Sequence, residues 1–188
     1  MSEALLVPTS GRSWTFADLE DVADDGFRYE IIDGSLLVSP PPGIGHQRIV
    51  GELLVALSLA APPHLLVLPG AGVAKVQGQT TYFEPDVVVV DRGAAPEGDN
   101  KLDPRFVRLA IEVVSPSSRT IDKALKRDAY ARMGLPHYWI VTPQDRVTTY
   151  ELREGSYVET AAMTSADARL EVDRPIPVVI HRSLLFPG

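Results

Sequence analysis

Between Thr81 and Arg119 the chain carries two apolar runs, Val87 to Val90 and Val107 to Val114, each bounded by turn-forming residues. Runs this short and this rich in β-branched residues read as buried sheet strands. Each also carries a carboxylate where the pattern asks for a hydrophobe. Asp86 opens the first, and Glu112 sits inside the second. A buried carboxylate is costly unless a cation or hydrogen bonds compensate it. On adjacent strands, the two would make a site for a hard divalent cation. No other feature constrains the fold as tightly.

The 188 residues, 45% of them hydrophobic, fit one domain with a sizeable core. The chain has no cysteine, which removes disulfides and thiolate metal ligands and suits a reducing cytoplasm. The opening MSEALLVPTS lacks the basic and apolar segments of a secretory signal. No apolar stretch reaches the roughly 20 residues of a membrane span. A cytoplasmic location without membrane association is therefore expected. The net charge of −7 counts against tight non-specific binding to DNA, while leaving room for a locally basic groove.

Residues 1–12 show no period and read as a flexible N-terminal arm. Ser13 or Thr15 caps a short helix over 16–23, with Asp18 and Glu20 in its first turn. In FRYEIIDGSLLVS, Asp33-Gly34 lies between two apolar runs and predicts a hairpin with a primed turn. Alternation puts Arg28, Glu30 and Ile32 on one strand face and Tyr29 and Ile31 on the other. A helix over 46–60 follows, with its apolar stripe at Ile49, Val50, Leu53, Leu54 and Leu57.

Strands are expected over 65–68, 72–76 and 81–91, then a polar surface loop over 92–103. A second helix over 119–133 would turn Ile121, Leu125, Ala129 and Met133 inward and close at Gly134. Strands over 137–142, 147–152 and 157–160 complete the pattern, with Tyr138 and Trp139 in the core. The organisation expected is an arm over 1–12, a domain over 13–160 and a C-terminal extension over 161–188 that packs on the domain or on a partner subunit. Strands and helices in this order point to an α/β domain with a mixed central sheet.

Strand geometry lets Asp86 and Glu112 face one site, and Mg²⁺ prefers oxygen ligands with some retained water. Such an ion polarises a phosphoryl oxygen and lowers the pKa of an attacking water. Lys126 forms a helical stripe with Asp122 and Tyr130. It reads either as a surface ion pair with Asp122 or as a cation reaching over the strand ends. Glu30 reads as a third acid or a solvated hairpin residue, Glu84 as a site acid or an edge charge. His46 reads as a phosphate contact, a proton carrier or a structural residue.

At these residues the chain resembles a bacterial branch of the PD-(D/E)XK nuclease superfamily whose members are labelled putative restriction endonucleases. The resemblance lies in RYEIIDGSLLVSPPPGIGHQRIVGELL at 28–54, EPDVVVV at 84–90 and LAIEVVSPSSRTIDKALKRDAYARMGLPHYWIV at 109–141, within about 14–155. It implies the restriction-endonuclease-like fold, a mixed β-sheet flanked by helices. It also implies a Mg²⁺-dependent phosphodiesterase site, Mn²⁺ serving as a substitute, with Asp86 and Glu112 as metal ligands. The superfamily's usual E-x-K would place lysine at 114, where this chain has Val114. In this branch the role moves to the next helix, which points to Lys126, with Glu30 and His46 bordering the site. His137 and Thr142 stand where the branch usually has Glu and Asp.

The catalytic set expected is therefore Glu30, His46, Asp86, Glu112 and Lys126, acting on DNA, with a homodimer implied by the resemblance and by the need to span a duplex. Two other classes stay open. One is a catalytically silent nuclease-like module that binds or assembles, and the other is a metal-dependent hydrolase of a small phosphoester.

Overall fold

The computed structural model describes residues 5–7, 11–22, 25–74, 80–94, 101–114, 121–142 and 146–187. A three-residue strand β1 (Leu5–Val7) and a one-turn helix α1 (Phe16–Leu19) precede the hairpin β2 (Arg28–Ile32) and β3 (Ser35–Ser39). Thr15 opens α1, and the Asp18 carboxylate accepts from its backbone N–H and its hydroxyl at 2.8 and 2.7 Å. The hairpin turn places Asp33 at φ 47° and Gly34 at φ 83°, the positive values a primed turn requires.

The long helix α2 (Ile44–Ala60) then leads to β4 (Leu65–Pro69), β5 (Gly72–Ala74), β6 (Tyr82–Phe83), β7 (Val87–Asp91), β8 (Lys101–Leu102) and β9 (Val107–Val113). A π-helical turn over Ile121–Lys126 runs into α3 (Arg127–Met133), which Gly134 closes in the left-handed conformation. The strands β10 (His137–Thr142), β11 (Arg146–Arg153), β12 (Ser156–Met163), β13 (Arg169–Val172) and β14 (Val178–His181) lead to a final turn α4 (Arg182–Leu185).

The main sheet runs β12-β11-β10-β9-β7-β4, and a second sheet runs β1-β3-β2-β6-β5-β8. In the main sheet β9 and β10 are parallel and the other described pairs antiparallel. Parallel neighbours need a crossover, and the segment carrying α3 supplies it. Both faces of the main sheet are covered, which is why its strands read as unbroken apolar runs. On one face Val87, Val89, Leu109, Ile111, Val113, Trp139 and Val141 meet α2 through Ile49, Val50, Leu53 and Leu57. On the other, Val88, Val90, Ala110, Val114, Tyr138 and Ile140 meet Ala129 and Tyr130 of α3 and Ile32, Leu37, Val73 and Phe83 of the second sheet. Trp139→Ala would empty the first of these layers and is expected to cost about 3–5 kcal/mol, measurable by urea unfolding followed by circular dichroism.

Several expectations need correction. Residues 81–91 do not make one strand. Pro85 offers no N–H to a ladder, and the chain changes sheet there, from β6 to β7. The polar segment 92–103 ends in β8, paired parallel with β5. Within the arm, β1 pairs with β3.

The second helix turns Ala129 and Met133 inward as expected, but not Leu125. Leu125 is 42% exposed, whereas Lys126, Ala129 and Tyr130 are buried, because the wider π turn rotates the register. At the C-terminal end β12 runs through residue 160 without a break. Leu170, Ile176, Val178, Ile180 and Leu185 join the α2 layer, so this segment packs on its own chain. Arg48 of α2 donates to the carbonyl oxygens of Leu184 and Leu185, tying α4 to it.

His137 opens β10 opposite Glu151. Burial lowers its pKa below 6.5; Glu151 opposes the shift and Arg174 adds to it. The folded chain therefore binds this proton less readily than the unfolded one, and stability is lost as pH falls below 6.5. His137→Gln is expected to flatten that loss, seen as a smaller change in the urea midpoint between pH values well above and well below 6.5.

Candidate active site

The hairpin delivers the first two groups. Ile32 packs toward the main sheet, and Arg28 and Glu30 share its strand face. Glu30 is 1% exposed. Its Oε1 accepts from the Glu84 backbone N–H at 2.9 Å and from Lys126 Nζ at 3.0 Å, and its Oε2 lies 2.8 Å from the same ammonium.

Asp86 sits where the chain enters the main sheet. Val87 pairs with Ile111, so the next pair outward sets Asp86 beside Glu112. Its Oδ2 accepts from the Val113 backbone N–H at 2.8 Å, taking over as ladder acceptor at the point where β7 begins. The same oxygen accepts from His46 Nε2 at 3.0 Å, which fixes the proton on that nitrogen. His46 lies in the first turn of α2, and its Nδ1 is buried without a hydrogen-bond partner. Arg28 Nη1 lies 2.9 Å from Asp86 Oδ1. That contact is an ion pair only, because Oδ1 is buried and makes no hydrogen bond. Burial works to raise the Asp86 pKa. The His46 hydrogen bond and the Arg28 charge outweigh it and hold the carboxyl below the ordinary range.

Glu112 projects from the middle of the main sheet, in register with Ile140. Its Oε1 accepts from the Tyr130 hydroxyl at 2.8 Å and from Lys126 Nζ at 3.1 Å. Lys126 closes the π turn and is 2% exposed. Burying an ammonium is expensive, and the two carboxylates flanking it offset the cost. Burial raises the Tyr130 pKa well above 10, and Glu112 and Glu30 add to the shift, so the phenol stays a donor. The Phe83 ring lies 4.8 Å from that of Tyr130 and 5.8 Å from Lys126 Nζ, walling the site with apolar surface.

Glu30, Glu112 and Lys126 thus form one bonded group and His46 and Asp86 another with Arg28, whose guanidinium is also attracted by the charges of Glu30 and Glu112. Three carboxylates there face a guanidinium, an ammonium and an imidazole. Two members carried no such signal. Arg28 stood out only as Glu30's neighbour on a strand face, and Tyr130 only as the residue four after Lys126. The expected Asp122–Lys126 pair involves a side chain outside the described residues. Glu84 shares no strand face with Asp86, because the strand breaks between sheets. It contributes its backbone N–H, and its carboxylate accepts from the Tyr82 hydroxyl.

Among the described residues no group of three or more His, Cys, Asp or Glu is placed to hold a metal ion. Two carboxylates are enough for Mg²⁺, which usually keeps several waters and takes its other ligands from substrate phosphates. The buried oxygen of Asp86 without a hydrogen bond fits that need. The residues present therefore fit a divalent ion held by Asp86 and Glu112.

No helix of the described chain is long and apolar enough to cross a membrane. No curated protein matches the sequence. The fold is similar to the crystal structure of a putative nuclease belonging to DUF820 from Anabaena variabilis ATCC 29413. That likeness has a TM-score of 0.68 at 18% identity, over 92% of this chain and 97% of that one. A nuclease-like α/β fold, a mixed sheet flanked by helices, is thereby shown. The family match runs beyond the expected 14–155 and takes in β13 and β14. With its model matched over residues 15–183, the chain belongs to the Uma2 family, described as putative restriction endonuclease.

Proposed function

We propose that the protein is a Mg²⁺-dependent endonuclease that hydrolyses phosphodiester bonds of DNA, with Mn²⁺ able to substitute. The observation that carries the reading is the buried Asp86–Glu112 pair at adjacent strand positions, with an Asp86 oxygen left without a hydrogen bond and Lys126 beside Glu112. Asp86 and Glu112 would hold the ion, which when bound supplies a Lewis acid and a more acidic water. His46 and the Val113 N–H fix the Asp86 carboxylate, so it meets a ligand without reorganising. Tyr130 does the same for Glu112. Lys126, held between Glu30 and Glu112, offsets negative charge on the phosphate as the bond breaks. The apolar ring of Phe83 keeps water from screening that charge. DNA is the proposed substrate because the family is described in restriction-endonuclease terms. A homodimer in the cytoplasm belongs to the same proposal.

The test is nicking of supercoiled plasmid across Mg²⁺, Mn²⁺ and Ca²⁺. Glu112→Gln keeps the acceptor for Tyr130 and removes the charge. It is expected to abolish nicking and to lower the urea midpoint less than Lys126→Met does, because Glu30 still pairs with the ammonium. Equal nicking by the variant would defeat the assignment.

One observation favours a second reading, a silent nuclease-like module that binds or assembles. Each of the three carboxylates already has a cation beside it. Metal binding without cleavage of any plasmid or small phosphodiester would favour this alternative.

A further inference from the structure

We infer that Arg28 is the cation a divalent ion displaces from Asp86, and that the freed guanidinium then takes hold of a substrate phosphate. This rests on the metal-site reading above and adds a residue and a sequence of events to it. Of Lys126, His46 and Arg28, the groups set against the three carboxylates, Arg28 has the most exposed side chain. The Lys126 side chain is 3% exposed and bonded to both Glu30 and Glu112, so leaving would strand two buried charges. His46 is 13% exposed and hydrogen-bonded to Asp86. The Arg28 side chain is 25% exposed, and its contact with Asp86 Oδ1 lacks hydrogen-bond geometry.

It occupies the oxygen a metal would use. A divalent ion binds a carboxylate oxygen at about 2.0–2.1 Å, inside the 2.9 Å now taken by Nη1. Two cations at that one oxygen repel strongly in a site this buried. One must leave, and Arg28 has the more solvent-exposed side chain. Until then it neutralises Asp86, where Glu30 and Glu112 also attract it, and keeps the acidic cluster from repelling itself apart. Once released on its β2 stem, the planar fork suits a phosphodiester, which it can grip with two parallel N–H donors.

The exchange makes one side chain oppose metal binding and support substrate binding, a combination that a purely structural residue does not give. Calorimetry with Mn²⁺ alone is the first test. Arg28→Gln should bind the ion about tenfold more tightly than the unmodified chain, and Arg28→Lys within about threefold of it, because the competing charge is lost only in the former. A short labelled DNA duplex, read by anisotropy on mixing with Mn²⁺ present, should bind Arg28→Gln about tenfold more weakly.

A loosened fold would weaken both affinities; opposite signs in one variant would not come from it. Equal or weaker Mn²⁺ binding by Arg28→Gln overturns the exchange and leaves the metal site standing. An unchanged duplex affinity overturns the phosphate half. No heat from any form removes the metal site itself, and the exchange with it. In the unmodified chain, the NMR signal of the Arg28 guanidinium should move on Mg²⁺ saturation and stay fixed in Asp86→Asn. A signal unmoved by bound Mg²⁺ overturns the inference whether or not the glutamine variant folds.

Discussion

Asp86→Ala is expected to lower plasmid nicking by about a thousandfold or more. A metal's Lewis-acid contribution is worth several kcal/mol, and each 1.36 kcal/mol is a factor of ten in rate. The residue does three things at once. It offers the buried oxygen that lacks a hydrogen bond, accepts from Val113 where the ladder begins, and balances Arg28. Alanine removes all three, so a fall in the urea midpoint accompanies the loss of rate. Asn keeps the acceptor for Val113 and separates the two effects.

The acid limb supplies a second readout. The folded Asp86 keeps its charge to lower pH than the unfolded chain, so its contribution to stability is complete above about 3.8 and lost as pH falls toward 2. Asp86→Asn should flatten that part of the acid unfolding curve. An Asp86→Ala protein that nicks normally would remove the carboxylate from the chemistry.

Lys126→Met should destabilise the fold more than any other single change at the site, by about 3–5 kcal/mol, because it strands two buried carboxylates. Glu30 and Glu112 are 1% and 2% exposed and have little recourse to solvent. The matching triple change, Glu30→Gln, Glu112→Gln and Lys126→Met, should recover most of that stability and none of the nicking. Replacing a whole buried ion group is often neutral where breaking it is not. Urea midpoints of the single and triple variants measure the difference. A single variant within about 1 kcal/mol of the unmodified chain would mean that the ammonium is not the carboxylates' main counter-ion.

What the sequence revealed was local chemistry. Asp33-Gly34 had one turn type open to it and formed it, and Gly134 closed α3 as its freedom at positive φ allows. The valine runs made buried strands because both faces of the main sheet are covered, and their two acids stood out as exceptions. Features set by distant partners were not legible. Lys126 meets Glu30 across 96 positions of sequence, beyond the reach of any periodicity argument. The π turn that buries Lys126 and exposes Leu125 leaves no pattern in the spacing, so the apolar stripe failed at Leu125 while holding at Ala129 and Met133. Pro85 marked the break between β6 and β7, but nothing local said that the chain would change sheets there. The C-terminal hydrophobes alternate weakly because their partners lie on α2, more than a hundred residues earlier.

The central claim is that Asp86 and Glu112 share one divalent ion. A crystal of the protein soaked in Mn²⁺, with anomalous data collected, tests it most directly. One anomalous peak within about 2.0–2.3 Å of an oxygen of each carboxylate is expected, with the ammonium of Lys126 still beside Glu112. A peak elsewhere on the chain, or none with Arg28 still seated on Asp86, would contradict it.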